Sequence, residues 1–167
     1  NKKNLNQILY FQNYLGFSNF DFELMKKKKI FVKNFISIGS LKNSYFKNFI
    51  KRGDNNLKKN FDICFVAKKM FENEKFVLSE GADISLELLK LLSRYIQKYN
   101  KKIVIQLKSK TYNSFESQLI EKLFSKTNYK LCLIDDEKNF GSYENISSSN
   151  VVVGPPSSLL REASTYN

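Results

Sequence analysis

Five short apolar runs that alternate with amphipathic segments constrain the fold of this chain more than any other feature of its sequence. The runs occupy residues 35–38, 61–67, 103–107, 131–134 and 151–153. Nearly continuous apolar runs are typical of parallel strands that are covered on both faces. Strands that alternate with helices predict βαβ units. The sequence therefore predicts an α/β fold, a Rossmann-like doubly wound, mostly parallel sheet of about five strands with helices on both faces.

The segments between these runs carry apolar residues at helical spacing. We predict helices over residues 42–51, from Asp83 or Ser85 to about Tyr99, over 114–125, over a short turn at 143–146, and from Ser157 or Ser158 onward. The inward-facing residues of the third helix are expected to be Phe115, Leu119, Ile120, Leu123 and Phe124. Residues 68–79 show no clear period, so we predict a loop there.

The first 29 residues are polar and aromatic without a steady period, and they predict a lead-in or linker from a missing N-terminal domain. A short helix over residues 4–15 is expected within it. Residues 30–167 then make one Rossmann-like domain, because 167 residues suit one domain with a sizeable core. Since the chain begins without Met and stops inside the last predicted helix, we expect a fragment that is truncated at its C-terminus.

The composition excludes several kinds of chemistry. The chain has no histidine, which rules out a Ser-His-Asp triad, a Cys-His pair and a histidine general base within it. Its two cysteines, Cys64 and Cys132, lie far apart inside apolar runs, and we expect both to be buried free thiols of a reducing cytoplasm. No apolar stretch reaches the roughly 20 residues that a membrane-spanning helix needs.

The net charge of +12 comes from lysines that are spread along the whole chain. Lysine and asparagine are abundant everywhere, as a genome rich in A and T would produce. No RNA- or DNA-binding motif accompanies the charge, so we expect no specific nucleic-acid binding. A weak affinity for phosphates or for an anionic membrane is the expected consequence, and it predicts a cytoplasmic protein with peripheral contact to the inner face of the membrane.

Ligands of open α/β sheets bind beyond the carboxyl ends of the strands, so the loops after the apolar runs are the places to look. Gly39 and Ser40 follow the first run, where a glycine lets backbone approach a ligand, although tight-turn chemistry explains the pair equally well. Lys68 and Lys69 follow the second run and Lys108 follows the third. A lysine in such a place can meet a phosphate, or it can simply face solvent.

The loop after the last run is the most informative. Gly154 ends the strand, two prolines stiffen the turn, and Ser157 and Ser158 open a helix that carries Glu162 about one turn on. This arrangement predicts two hydroxyls and a carboxylate near a helix N-terminus. Such a set suits a nucleotide sugar, whose phosphate takes amides and hydroxyls and whose sugar hydroxyls take the carboxylate. A serine cap followed by an acidic residue explains the same residues structurally.

The ordered set of motifs resembles a known family. The stretch SSSNVVVGPPSSLLREAS resembles the donor-site segment of GT-B glycosyltransferases and of the related UDP-N-acetylglucosamine 2-epimerases. Upstream, KKIFVKNFISIGSLKNSYFKNF and NFDICFVAK resemble the start of the C-terminal, donor-binding domain of bacterial surface-carbohydrate biosynthesis transferases. The resemblance covers roughly residues 28–167.

The resemblance implies a nucleotide-sugar donor site of a transferase that builds surface polysaccharide or lipopolysaccharide, with no metal and no cofactor. By position, it places Gly39 and Ser40 beside the donor phosphates, Gly154, Ser157 and Ser158 in the phosphate turn, Glu162 on the ribose or sugar hydroxyls, and Lys108 as a basic residue at a strand end. It assigns no catalytic residue to this chain, because the partner N-terminal acceptor domain usually supplies the base. The isolated chain is therefore expected to be inactive.

Two other functions fit the sequence. One is a domain like that of a UDP-sugar 2-epimerase. The other is a non-catalytic α/β module that binds anionic polymers through its basic surface. The sequence offers a divalent ion only Asp135 and Asp136, for which a solvated loop is the favoured interpretation.

Overall fold

The computed structural model describes residues 9–52, 58–72, 75–76, 79–107, 115–133 and 140–164. The chain divides into two compact units, Asn1–Gly53 and Asp54–Asn167. None of the helices in these described ranges combines the length and apolar character that crossing a membrane requires.

The first unit consists of β1 (Tyr10–Gly16), α1 (Asn19–Lys27), β2 (Phe31–Ser37) and α2 (Leu41–Arg52). The two strands pair in parallel, and Asn34 Nδ2 donates to Asn13 Oδ1 across them at 2.9 Å. The predicted helix over residues 4–15 is wrong from Tyr10 onward, since these residues form β1. Polar residues inside β1 obscure its strand character in the sequence, but they are exposed or paired across the two strands.

The second unit contains the remaining elements. They are β3 (Phe61–Val66), β4 (Phe71–Glu72), β5 (Lys75–Phe76), α3 (Glu80–Tyr99), β6 (Lys102–Gln106), α4 (Phe115–Phe124), β7 (Asn128–Cys132), α5 (Gly141–Ser147), β8 (Ser149–Val153) and α6 (Ser158–Ala163). Four of these strands form a parallel sheet in the order β7-β6-β3-β8. The β4 and β5 strands make a small antiparallel pair within the segment that the sequence predicts as a loop.

Helices pack on both faces of the four-stranded sheet. Alternate residues of the central strands, such as Phe65 and Ile105, join the larger core cluster with apolar residues of α3 and α4. The residues between them, such as Cys64 and Val104, join a second cluster with apolar residues of α5 and α6. Because successive side chains of a strand point to opposite faces, both clusters follow from one apolar run. The second unit thus has an α/β fold, with helices on both faces of a parallel sheet, and this is compatible with a Rossmann-like fold.

The sheet differs from the prediction in its number of strands. Within the described ranges it has four strands rather than about five, because β2, the first predicted strand, pairs with β1 in a separate two-stranded sheet. The other four predicted strands all lie in the parallel sheet.

The ends of α3 are set by polar caps. The helix begins at Glu80, earlier than predicted, because Ser79 Oγ accepts the amide hydrogen of Ala82. The predicted cap Ser85 lies inside the helix instead. At the other end Asn100 adopts the left-handed conformation, with φ of 48°, which ends the helix close to the predicted Tyr99.

Candidate ligand site at the carboxyl edge of the parallel sheet

The strand order brings the carboxyl ends of β3 and β8 side by side. From β3 the chain moves to β6 and then to β7 on one side, and it returns to β8 on the opposite side of β3. A crevice arises beyond the strand ends where the order reverses in this way, since the flanking helices lie on opposite faces. The candidate site therefore consists of the segments that follow Val66 and Val153.

The turn after β8 depends on Gly154. A side chain at this position would collide with the backbone carbonyl oxygen of Val66, at the end of β3. The next residue, Pro155, is buried. The glycine therefore allows two neighbouring strand ends to approach each other closely, which is a requirement of packing as well as of any ligand site.

The two predicted serines have different surroundings. Ser157 is the N-cap of α6, and its Oγ accepts the amide hydrogen of Leu160 at 3.1 Å. Ser158 is the first residue of the helix and is exposed to solvent. Ser158 is thus the more exposed of the two serines, whereas the Ser157 hydroxyl caps the helix and shapes the turn.

Glu162 is buried rather than open to solvent, with 9% of its surface exposed. Tyr143, near the start of α5, donates its hydroxyl hydrogen to Glu162 Oε2 at 2.6 Å. This hydrogen bond joins α5 to α6 on one face of the sheet. The predicted role of Glu162 on sugar hydroxyls stays a prediction, and the tyrosine is a partner that the sequence does not reveal.

The loop after β3 is held against α3. The backbone amide of Lys68 donates to Ser85 Oγ at 3.1 Å, and Ser85 donates in turn to the carbonyl oxygen of Gly81 at 2.9 Å. The side chain of Lys68 lies over Gly81, in the first turn of α3. Lys69 forms an exposed ion pair with Glu72 at 2.6 Å, which lowers the pKa of that carboxyl group.

A buried carboxylate organises the same loop from the other side. Glu116 of α4 is 2% exposed, and its Oε1 accepts the backbone amides of Met70 at 2.5 Å and Phe71 at 3.2 Å. Phe115, which the sequence places inward, is instead 43% exposed. The sequence carries one signal for the burial of Glu116. Its spacing of four residues from Ile120, and of eight from Phe124, places it on the buried side of the helix.

A second buried polar group links the strands at this edge. Gln106, the last residue of β6, donates from Nε2 to the carbonyl oxygen of Leu133 at 3.1 Å. Its Oε1 accepts a hydrogen bond from Asn145 Nδ2 at 2.8 Å, and Ser149 Oγ donates to the Asn145 carbonyl oxygen at 2.7 Å. The contacts join β6, the segment after β7, α5 and β8. Such a satisfied network holds α5 against β6, the segment after β7 and the start of β8.

The other predicted site residues are not among the described residues of the second unit. Gly39 and Ser40 belong to the first unit, where Gly39 has a φ of 67° and Ser40 Oγ accepts the amide hydrogen of Asn43 at 3.2 Å. They follow β2, which is not a strand of the four-stranded sheet. Lys108 lies outside the described residues, and so do Asp135 and Asp136. In the ranges the structure describes, no three His, Cys, Asp or Glu side chains are grouped for metal binding.

Two groups with shifted pKa values, Asp62 and Cys64, lie within β3 rather than in the loops of the candidate site. Asp62, near the start of β3, accepts the amide hydrogen of Lys102 at 2.8 Å and lies 3.5 Å from Lys101 Nζ. The backbone hydrogen bond lowers the pKa of Asp62; burial opposes this and the lysine charge reinforces it. Burial, and then the nearby Cys132, raise the pKa of Cys64 to about 12. Cys64 is thus a buried, unreactive thiol as expected, while Cys132 is only half-buried.

Comparison with known proteins does not identify a family. No protein-family model matches the chain, and no curated protein matches it.

Proposed function

We propose that the second unit binds a nucleotide-sugar donor between the carboxyl ends of β3 and β8, as the donor-binding part of a metal-independent glycosyltransferase of surface-carbohydrate biosynthesis. The observation that carries the proposal is the strand order β7-β6-β3-β8, which reverses at β3 and β8. Open α/β sheets bind nucleotides at such a reversal. The sequence resemblance to GT-B donor domains covers the same turn.

The donor phosphates are assigned to the turn between β8 and α6. This turn offers the exposed residue Ser158 at the start of α6, next to the amide of Leu160 that Ser157 Oγ already accepts. At the neighbouring strand end, the helix that follows β3, α3, carries Glu80 and Asp83 in its first turn. Those carboxylates repel a phosphate, so the turn after β8 is the better anion site of the two.

Within this proposal Glu162 binds the ribose or sugar hydroxyls with the carboxylate that Tyr143 orients. The hydrogen bond to Oε2 holds the group in one position, and preorganisation of this kind favours binding. The sheet is proposed to be doubly wound, with the acceptor domain on a separate part of the enzyme at the cytoplasmic face of the membrane.

Calorimetric titration of the whole chain with UDP, GDP and CMP tests the proposal, with uridine as the control that lacks phosphate. We expect saturable binding of at least one nucleotide at concentrations below about 1 mM, and none of uridine. Absence of heat and of thermal stabilisation with all three nucleotides would refute donor binding.

A matched pair of variants tests the carboxylate. Glu162→Gln keeps the size of the side chain but removes its charge, and we expect it to weaken nucleotide binding about 10-fold, as the loss of a charge-assisted hydrogen bond does. Tyr143→Phe removes one hydrogen-bond donor to the carboxylate and is expected to change affinity less. Equal affinities of Glu162→Gln and the parent would leave Glu162 with a structural role only.

The net charge of +12 favours one alternative, a non-catalytic module that binds anionic polymers. This function predicts binding to random single-stranded RNA that falls steeply as salt rises. Nucleotide binding that is insensitive to salt, together with weak RNA binding at about 0.15 M salt, favours the donor site instead.

A further inference from the structure

The exposed side of α3 carries an apolar stripe besides the one that faces the core. The core stripe of this helix includes Leu89, Leu92 and Ile96. The second stripe consists of Ile84, Leu88, Leu91 and Tyr95, whose spacings of four, three and four residues place them along one line of the helix. We call these four residues the outer stripe.

The outer stripe becomes more exposed toward the C-terminal half of the helix. Ile84 and Leu88 are half-buried, whereas Leu91 is 62% exposed and Tyr95 is 42% exposed. The apolar surface continues from Leu91 and Tyr95 into a groove of about 400 Å³ beside β8, where Val151 is 52% exposed. Contiguous apolar side chains on a helix and a neighbouring edge strand are typical of a surface that binds another protein.

Charges beside the outer stripe change sign along the helix. Asp83 and Glu87 lie in its first half, and Lys90 and Arg94 lie in its second half, in the same line next to the stripe. Glu87 and Lys90 form an exposed ion pair at 2.8 Å within the helix, which a stronger partner can replace. The helix flank is therefore acidic at one end and basic at the other.

This pattern is complementary to itself when two such helices lie antiparallel. A twofold axis near the middle of the outer stripe brings Leu88 of one copy opposite Leu91 of the other, and Ile84 opposite Tyr95. The acidic half of each helix then faces the basic half of its partner, with Glu87 within reach of Arg94 on the other copy. A parallel arrangement would instead bring like charges together, so it is disfavoured.

We propose that the outer stripe of α3 is the contact surface of a homodimer, in which the α3 helices of two copies pack antiparallel about a twofold axis. An interface of this kind uses the same patch on both copies, so each favourable contact occurs twice. One helix and the adjacent groove make a small interface, and we expect association at protein concentrations of roughly 10–100 µM.

Sedimentation velocity of the whole chain between about 5 and 200 µM tests the proposal, with the monomer mass of 19.6 kDa as reference. We expect the mass to rise toward that of a dimer with concentration. Leu91→Glu should abolish the rise, because it buries two charges at the centre of the interface. Gln97→Ala, which adds no charge at an exposed position of the same helix outside the stripe, should leave association unchanged. Circular dichroism confirms that each variant is folded.

Charge reversal separates this interface from other modes of association. Arg94→Glu alone should weaken the dimer about 10-fold or more, since each copy then presents two acidic ends. The double variant Glu87→Arg with Arg94→Glu exchanges the charges on both copies, so it should recover most of the lost affinity. A chain that stays monomeric at 200 µM overturns the proposal, and so does a dimer that still forms with Leu91→Glu. The proposal also fails if the double variant associates no more tightly than Arg94→Glu alone.

Discussion

Replacing Glu116 by alanine removes the acceptor of two backbone amides in the loop after β3. The amide of Met70 is buried and lies 2.5 Å from the carboxylate, while that of Phe71 is partly exposed and lies 3.2 Å away. Water can replace the second bond but not the first. A buried amide without a partner costs about 1–3 kcal/mol, and loss of a bond to a charged acceptor at the partly exposed amide adds about 1 kcal/mol. We therefore expect Glu116→Ala to destabilise the second unit by about 2–4 kcal/mol.

Urea unfolding and amide hydrogen exchange measure this effect at two levels. With a slope of about 2 kcal/mol per molar urea, the loss moves the unfolding midpoint down by roughly 1–2 M. The amide of Met70 should exchange about 100-fold faster, because its protecting bond is absent. Glu121→Ala, at an exposed position of the same helix, serves as the control and should change stability by no more than about 0.5 kcal/mol.

The neutral variant Glu116→Gln decides how much the charge contributes. Its amide oxygen can still accept both hydrogen bonds, so we expect a loss of only about 1 kcal/mol. If Glu116→Ala is no less stable than Glu121→Ala, or if the Met70 amide keeps its protection, the carboxylate does not hold the loop and the reasoning fails.

Two further predictions concern the core of the second unit. Gly154→Ala should lower the free energy of unfolding by about 1–3 kcal/mol, because the new side chain collides with the Val66 carbonyl oxygen. Gly141→Ala is the control, since this glycine has open space around it. Equal melting temperatures of the two variants would contradict the steric argument. A thiol reagent at pH 8 should label Cys132 in the folded protein and leave Cys64 unlabelled until urea is added, since the pKa of Cys64 is raised to about 12. The same shift stabilises the fold below pH 9 and loses its effect as the pH rises toward 12, so alkaline pH should lower the melting temperature less in a folded Cys64→Ala variant.

Local periodicity in the sequence predicts most of the helices and strands of the second unit. The spacing predicts α4 over residues 114–125, and the helix spans Phe115–Phe124. The apolar run predicts β3 over residues 61–67, and the strand spans Phe61–Val66. These agreements have a physical cause, because the spacing of apolar residues determines which side of an element can be buried.

The candidate site is predictable only in part. The turn at Gly154 and the cap at Ser157 were visible as residue types with strong local preferences. The partners of Glu116 and Glu162 are not visible in the sequence, because helical spacing can place a carboxylate on a buried side but does not say which distant group it meets. Only the packing of α4 against the loop after β3, and of α5 against α6, buries these two carboxylates.

The sequence by itself determined most of the strands and helices in the second unit, that the fold is α/β, and that no histidine chemistry takes place in this chain. The tertiary structure alone decided that β2 pairs with β1 rather than with the larger sheet, and that β8 returns to the far side of β3. Strand order depends on contacts between residues that are distant along the chain, and apolar spacing within a segment carries no information about them. The candidate site is inferred from that order, so only the folded chain reveals its place.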